Sequence, residues 1–228
     1  MKRAYLILAL AASLRADALS DVLQRMDQAA QKFRSLSADV RKTDYTDVLS
    51  DTTVEEGTFK LMKNGKEKFI LLADFKGQDA HVVQMTPAQV KIYHPKANSV
   101  EIYETRKYTK AADQYLMVGF GTTAADLQKT YTVTLGGTET VNGVKTTRLD
   151  LAPKSAEAKK LVTQIQLWIP EGQANPIQEK MLSGKEGKDY KLFQFSNTKI
   201  RTISDPALPA SDFDLKLPAG VKEINAGK

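Results

Sequence analysis

The sequence predicts a mainly β, α+β fold: a curved antiparallel half-barrel of about eleven strands, with short helices covering its concave face. Three observations lead there. Between residues 53 and 104 five β-rich runs follow one another, separated only by the turn residues Asn64-Gly65, Gly77-Gln78, Thr86-Pro87 and Pro95 to Asn98. Helical periodicity is confined to one segment ahead of this meander and a few short stretches behind it. Strand signals then resume without a linker, a low-complexity segment or an alignable repeat. A sheet too short to close on itself leaves one apolar face exposed, and helices are the available cover.

Residues 1–18 read as a secretory signal. Lys2-Arg3 form a positive start, residues 4–14 an apolar run of eleven, and Ala16-Asp17-Ala18 puts small residues at the −3 and −1 positions; cleavage after Ala16 is the alternative. The run is too short to span a bilayer. Residues 19–228 then form one domain, expected to be monomeric and periplasmic. Leu19, Val22, Leu23, Met26, Ala29, Ala30, Phe33 and Leu36 recur at three- and four-residue steps, a helix over 19–36. Residues 37–45 alternate as a first strand. The meander follows, with Phe59 and Leu61 sharing one face and Thr58 and Lys60 the other. Residues 107–118 and 122–129 carry helical spacing, broken by Gly119-Phe120-Gly121. Further strands are expected over 131–135, 144–151, 164–169, 177–182 and 190–203, with a helical turn at 155–160 and an Asn142-Gly143 turn. Pro206, Pro209 and Pro218 make the tail an extended segment along an edge.

The chain of 228 residues has 42% hydrophobic and 26% charged residues and a net charge of +6. Losing the leader removes three positive charges and one negative, leaving +4 spread among both signs. A nucleic-acid binder concentrates its basic residues on one element, and no such cluster is present. There is no cysteine, which excludes disulfides, thiolate metal sites, a cysteine nucleophile and a lipidated N-terminal cysteine.

Catalytic signatures are missing. Gly119-Phe-Gly121-Thr-Thr-Ala124 has dinucleotide-fingerprint spacing, but a helical run precedes it and antiparallel strands follow, so it reads as a helix-breaking turn. His81 and His94 lack a placed nucleophile. No cofactor, metal or catalytic residue is expected. Apolar surface is what remains. The candidate site is a hydrophobic cavity lined by Phe59, Leu61, Phe69, Leu71, Tyr93, Trp168, Phe193 and Phe195. Its cover is the segment 108–129, bearing Leu116, Met117 and Phe120 and hinged at Gly119 and Gly121.

Three stretches carry a resemblance. Val22 to Val40 is similar to the opening helix and first strand of the periplasmic outer-membrane lipoprotein carriers, the LolA-type family. Glu56-Gly-Thr-Phe-Lys-Leu61 and Val90-Lys-Ile-Tyr93-His-Pro95 look like two of its strand motifs, and Phe213-Asp-Leu-Lys-Leu-Pro218-Ala-Gly220-Val resembles its closing motif. The resemblance implies a half-barrel with an apolar cavity for acyl chains. It implies a non-enzymatic carrier that takes lipidated proteins or lipids from an inner-membrane release complex to an outer-membrane acceptor. An envelope lipid-sensing or signalling module of the same fold is the second reading, and a hydrolase the third. Where the family commonly has an Arg-Pro step whose arginine holds the lid, this chain has Asn64-Gly65, so the lid mechanism does not transfer.

Overall fold

The computed structural model describes residues 2–65, 69–104 and 118–225, with side chains from Asp17 onward. Its frame is one open, curved sheet of twelve strands in the order β12-β6-β5-β4-β3-β2-β1-β11-β10-β9-β8-β7. The strands are β1 (Phe33–Thr46), β2 (Asp51–Lys63), β3 (Phe69–Lys76), β4 (His81–Met85), β5 (Gln89–His94), β6 (Ser99–Glu104), β7 (Tyr131–Val141), β8 (Val144–Pro153), β9 (Gln164–Pro170), β10 (Gln178–Ser183), β11 (Asp189–Thr202) and β12 (Lys222–Asn225). Helices α1 (Lys2–Lys32), α2 (Ala124–Thr130) and α3 (Ala156–Leu161) accompany it. All pairings are antiparallel except β12 with β6.

Apart from β7, which continues to Val141 through a register shift between Leu135 and Gly137, the expected strands form within a few residues of their predicted bounds, and three further differences have physical causes. The first helix ends at Lys32, four residues early, because Phe33 pairs with Thr202 and the Lys32 carbonyl accepts from the Ile203 amide at 2.8 Å. Phe33 and Leu36 are still buried, at 4% and 0% exposed, but from a strand. Register shifts between Phe33 and Ser35 and between Ser37 and Asp39 let a strand mimic three-residue helical spacing. The second difference is the β2–β3 connection. Lys63 pairs with Phe69, so the hairpin loop is longer than an Asn-Gly turn alone, although Gly65 has φ +87°. At the other Asn-Gly, Val141 pairs with Val144 across Asn142 (φ 49°) and Gly143 (φ 79°), a tight turn with both central residues left-handed. The third is the tail, which adds a twelfth strand. Phe213 is 2% exposed, its carbonyl accepts from Gln84 Nε2 at 2.7 Å, and Lys60 pairs with Asp212 at 3.4 Å, so the tail crosses the outer face of β2 to β4 before β12 joins β6.

Gly57 explains the Glu56-Gly-Thr-Phe59 stretch. A Cβ there would lie 2.1 Å from the carbonyl oxygen of Asp74 on β3, so only glycine permits the close approach of the two strands.

The core lies on the concave side. Val22, Leu23, Met26 and Ala30 of α1 pack there with Leu127 of α2, Val118 and Phe120. Thr123 caps α2 by accepting from the Asp126 amide at 3.1 Å, and Asp27 of α1 accepts from the Ala124 amide at 2.6 Å, which ties the two helices together. They form a plug at one end of the curved sheet.

Candidate functional site

The site follows from strand alternation read row by row across the sheet. On β1 the inward residues run Ala38, Val40, Lys42, Asp44. They pair with Phe59, Gly57, Glu55 and Thr53 of β2. On β11 the inward residues Phe195, Phe193 and Lys191 pair with Val40, Lys42 and Asp44. The next strands repeat the gradient: Leu71, Ala73, Phe75 on β3; Met85, Val83, His81 on β4; Val90, Ile92, His94 on β5. The concave surface is therefore apolar toward the plug and polar toward the far end.

Between them lies an apolar cavity of about 420 Å³, walled chiefly by Val40, Phe59, Leu71, Phe75, Val83, Ile92, Phe193 and Phe195. Lys42, His81, His94, Glu179 and Lys191 are its polar lining residues. Lys42, His81 and His94 also line a second hollow of about 540 Å³ with Asp44, Glu55 and Lys96, so these three stand between the apolar cavity and a polar vestibule.

The rim is a paired charge network. Lys42 Nζ lies 2.8 Å from both Asp44 Oδ2 and Glu55 Oε2, and Lys191 Nζ lies 2.8 Å from Asp44 Oδ1. Burial opposes the charge on Lys42, but its bonds to Asp44 and Glu55 outweigh this and hold its pKa above the ordinary lysine value. Burial likewise opposes the charge of Asp44, and the two lysines overcome it, keeping its carboxyl below the usual range. His81 Nδ1 sits 3.3 Å from Glu55 Oε1, and its ring stacks on Phe75 with centroids 5.0 Å apart. His94 Nε2 is 3.5 Å from Glu101 Oε1.

Glu179 is the exception. It is 2% exposed, lines the cavity, and its Oε1 has no hydrogen-bond partner among the described residues. Burial disfavours its charged form and raises its pKa well above the ordinary value.

Of the residues expected at the site, Phe59, Leu71, Phe193 and Phe195 line the cavity. Phe120 lies behind them, fully buried, with its ring centroid 5.1 Å from Phe195 and 6.3 Å from Phe59. Leu61 is fully buried toward the plug, and Phe69 packs on Phe33 with centroids 6.4 Å apart. Tyr93 alternates with Ile92 and His94 and faces the other side of the sheet. So does Trp168, whose Nε1 donates to Glu139 Oε2 at 2.7 Å beside Arg148. Leu116 and Met117 lie outside the described residues, as does the first part of the expected cover. Sequence reasoning set His81 and His94 aside for want of a nucleophile and passed over Lys42, Glu179 and Lys191. Among the described residues no group of three or more His, Asp or Glu is placed to hold a metal ion, and no helix is long and apolar enough to cross a membrane.

No protein-family model matches the chain, and no curated protein does. Solved structures do. The crystal structure of an uncharacterized conserved protein from Thermus thermophilus superposes with a TM-score of 0.53 at 12% identity, covering 92% of this chain and 99% of that one. The crystal structure of MucB superposes with a TM-score of 0.51 at 18% identity, covering 91% of this chain and 64% of MucB, so this chain spans less than two thirds of it. A LolA superfamily protein from Nitrosomonas europaea aligns more loosely, with a TM-score of 0.39 at 12% identity over 86% of this chain and 97% of that one. At such identities the likeness is one of fold alone, shared with the Thermus protein and with MucB.

Proposed function

We propose that this chain is a non-enzymatic periplasmic carrier that binds acyl chains of lipoproteins or lipids in its concave cavity and moves them toward the outer membrane. The observation that carries this reading is the cavity itself: about 420 Å³ of apolar wall opening onto a polar rim. That volume falls within the roughly 300–1,000 Å³ of small-molecule sites. Each methylene kept from water in such a cavity is worth about 0.8 kcal/mol, which offsets what the chain loses on leaving the apolar interior of a membrane. Residues 1–18 act as the export signal, an inner-membrane release complex loads the carrier, and an outer-membrane acceptor unloads it. No covalent step is involved.

Native mass spectrometry of protein purified from its host's periplasm tests the proposal. The expected result is a mature chain beginning at Leu19 or Asp17 with an acylated species bound in equimolar amount. An empty chain bound stoichiometrically to another protein would replace the carrier with a sensing module, and an intact start at Met1 in a cytoplasmic fraction would overturn both.

A further inference from the structure

We propose that Glu179 reads the head of the ligand, donating a hydrogen bond to the carbonyl oxygen of an ester- or amide-linked acyl chain held in the cavity. This deepens the carrier reading and rests on it. The position of Glu179 is the first argument. It pairs across the sheet with Phe193 of β11, which pairs with Lys42 of β1, which pairs with Glu55 of β2. Toward the plug the equivalent rows are apolar, Phe195 with Val40 and then Ala38 with Phe59. In the other direction the β11–β1 row is Lys191 with Asp44. Glu179 thus sits at the level where the wall changes from apolar to charged. An acyl chain lying tail toward the plug brings its linkage group to this level.

The second argument is what the wall leaves uncommitted. Lys42 and Lys191, the cationic lining residues, are already bonded to carboxylates. Glu179 is walled by Leu167 and Phe193, 0% and 9% exposed, and its Oε1 is unpartnered among the described residues. A buried polar atom without a partner is uncommon and unfavourable, and a ligand atom that completes it gains specificity from that deficit. Burial among apolar neighbours favours the neutral carboxyl, and in that form it offers an O–H donor. The matching ligand group is a neutral acceptor, as an ester or amide carbonyl is, and not an ammonium.

The test compares a palmitoyl glycerol ester with the hexadecyl glycerol ether as competitors of an apolar fluorescent dye bound to the full chain. Hexadecylammonium serves as a third competitor, and thermal melting confirms that each variant is folded. The wild type is expected to prefer the ester by roughly tenfold, the worth of one hydrogen bond. Glu179→Gln, whose amide still donates, should keep most of that preference. Glu179→Leu should erase it while binding the ether at least as well. Equal affinities for ester and ether in the wild type, or an unchanged preference in Glu179→Leu, would overturn the inference and leave the carrier standing. Tightest binding of hexadecylammonium, lost in Glu179→Gln, would show an ionised carboxylate and overturn it too. Failure of every competitor to displace the dye would overturn the carrier reading along with it.

Discussion

Glu179 connects the cavity to folding as well as to binding. Its folded-state pKa is raised by burial, while in the unfolded chain it titrates near 4.3. As pH rises past that value the unfolded carboxyl releases its proton, and the folded one does so only at higher pH. The folded state then binds more protons, so this residue lowers stability progressively toward neutral pH. Glu179→Gln removes the effect. Its melting temperature should exceed that of the wild type at pH 7, and the two should converge near pH 4; parallel curves across the range would show that the carboxyl is not held neutral. Lys42 and Asp44 act oppositely on stability. The Lys42 contribution, with its raised pKa, is present below the ordinary lysine pKa and lost as pH climbs through the folded value. The Asp44 contribution, with its lowered pKa, is present above the ordinary carboxylate value and lost as pH falls through the folded one.

At the scale of elements, the plug is where the expected cover and the core call on the same residues. Phe120 sits between Gly119 and Gly121, with φ +98° and +66°. A Cβ on Gly121 would lie 2.7 Å from the Phe33 ring. The turn is thus seated against β1, and Phe120 is fully buried against Phe59 and Phe195. Phe120→Ala should therefore cost about 3–5 kcal/mol in urea unfolding. A loss under about 1 kcal/mol would mark a cover that detaches freely. The same elements separate what the sequence made legible from what it hid. The meander was legible because its turn residues are spaced by the lengths of its strands. The helix end at Lys32 was hidden by irregular register in β1, which counterfeits helical period. Trp168 misled because β9 is buried on both faces from Leu167 to Pro170, so size signalled burial without signalling the side. The polar lining was legible in parity: Lys42 shares a face with Val40, His81 with Val83, His94 with Ile92, Lys191 with Phe193. A search for chemistry by residue type alone passes over such positions.

At the scale of the whole molecule, the C-terminal tail fastens one edge of the sheet. Phe213 anchors it to the outer face, and Gly220, with φ +74°, turns it into β12, where the Lys222 amide donates to the Asn98 carbonyl at 2.9 Å. Phe213→Ala should cost about 3 kcal/mol or more and speed amide exchange in β6 and β12 ahead of β1 and β2; uniform exchange would mean the tail is not a separate unit. β12 and β7 stand at opposite ends of the sheet order and do not pair with each other. A barrel whose first and last strands are joined has its girth fixed by strand number and stagger. This sheet behaves as a spring clip instead of a ring. Each neighbouring pair of strands tolerates a small change of twist without breaking a hydrogen bond, and across twelve strands those changes add up at the free ends. On the proposed carrier function, such a clip lets the cavity widen around a thicker guest and relax when the guest leaves, with the restoring force spread over the whole sheet and no single latch required.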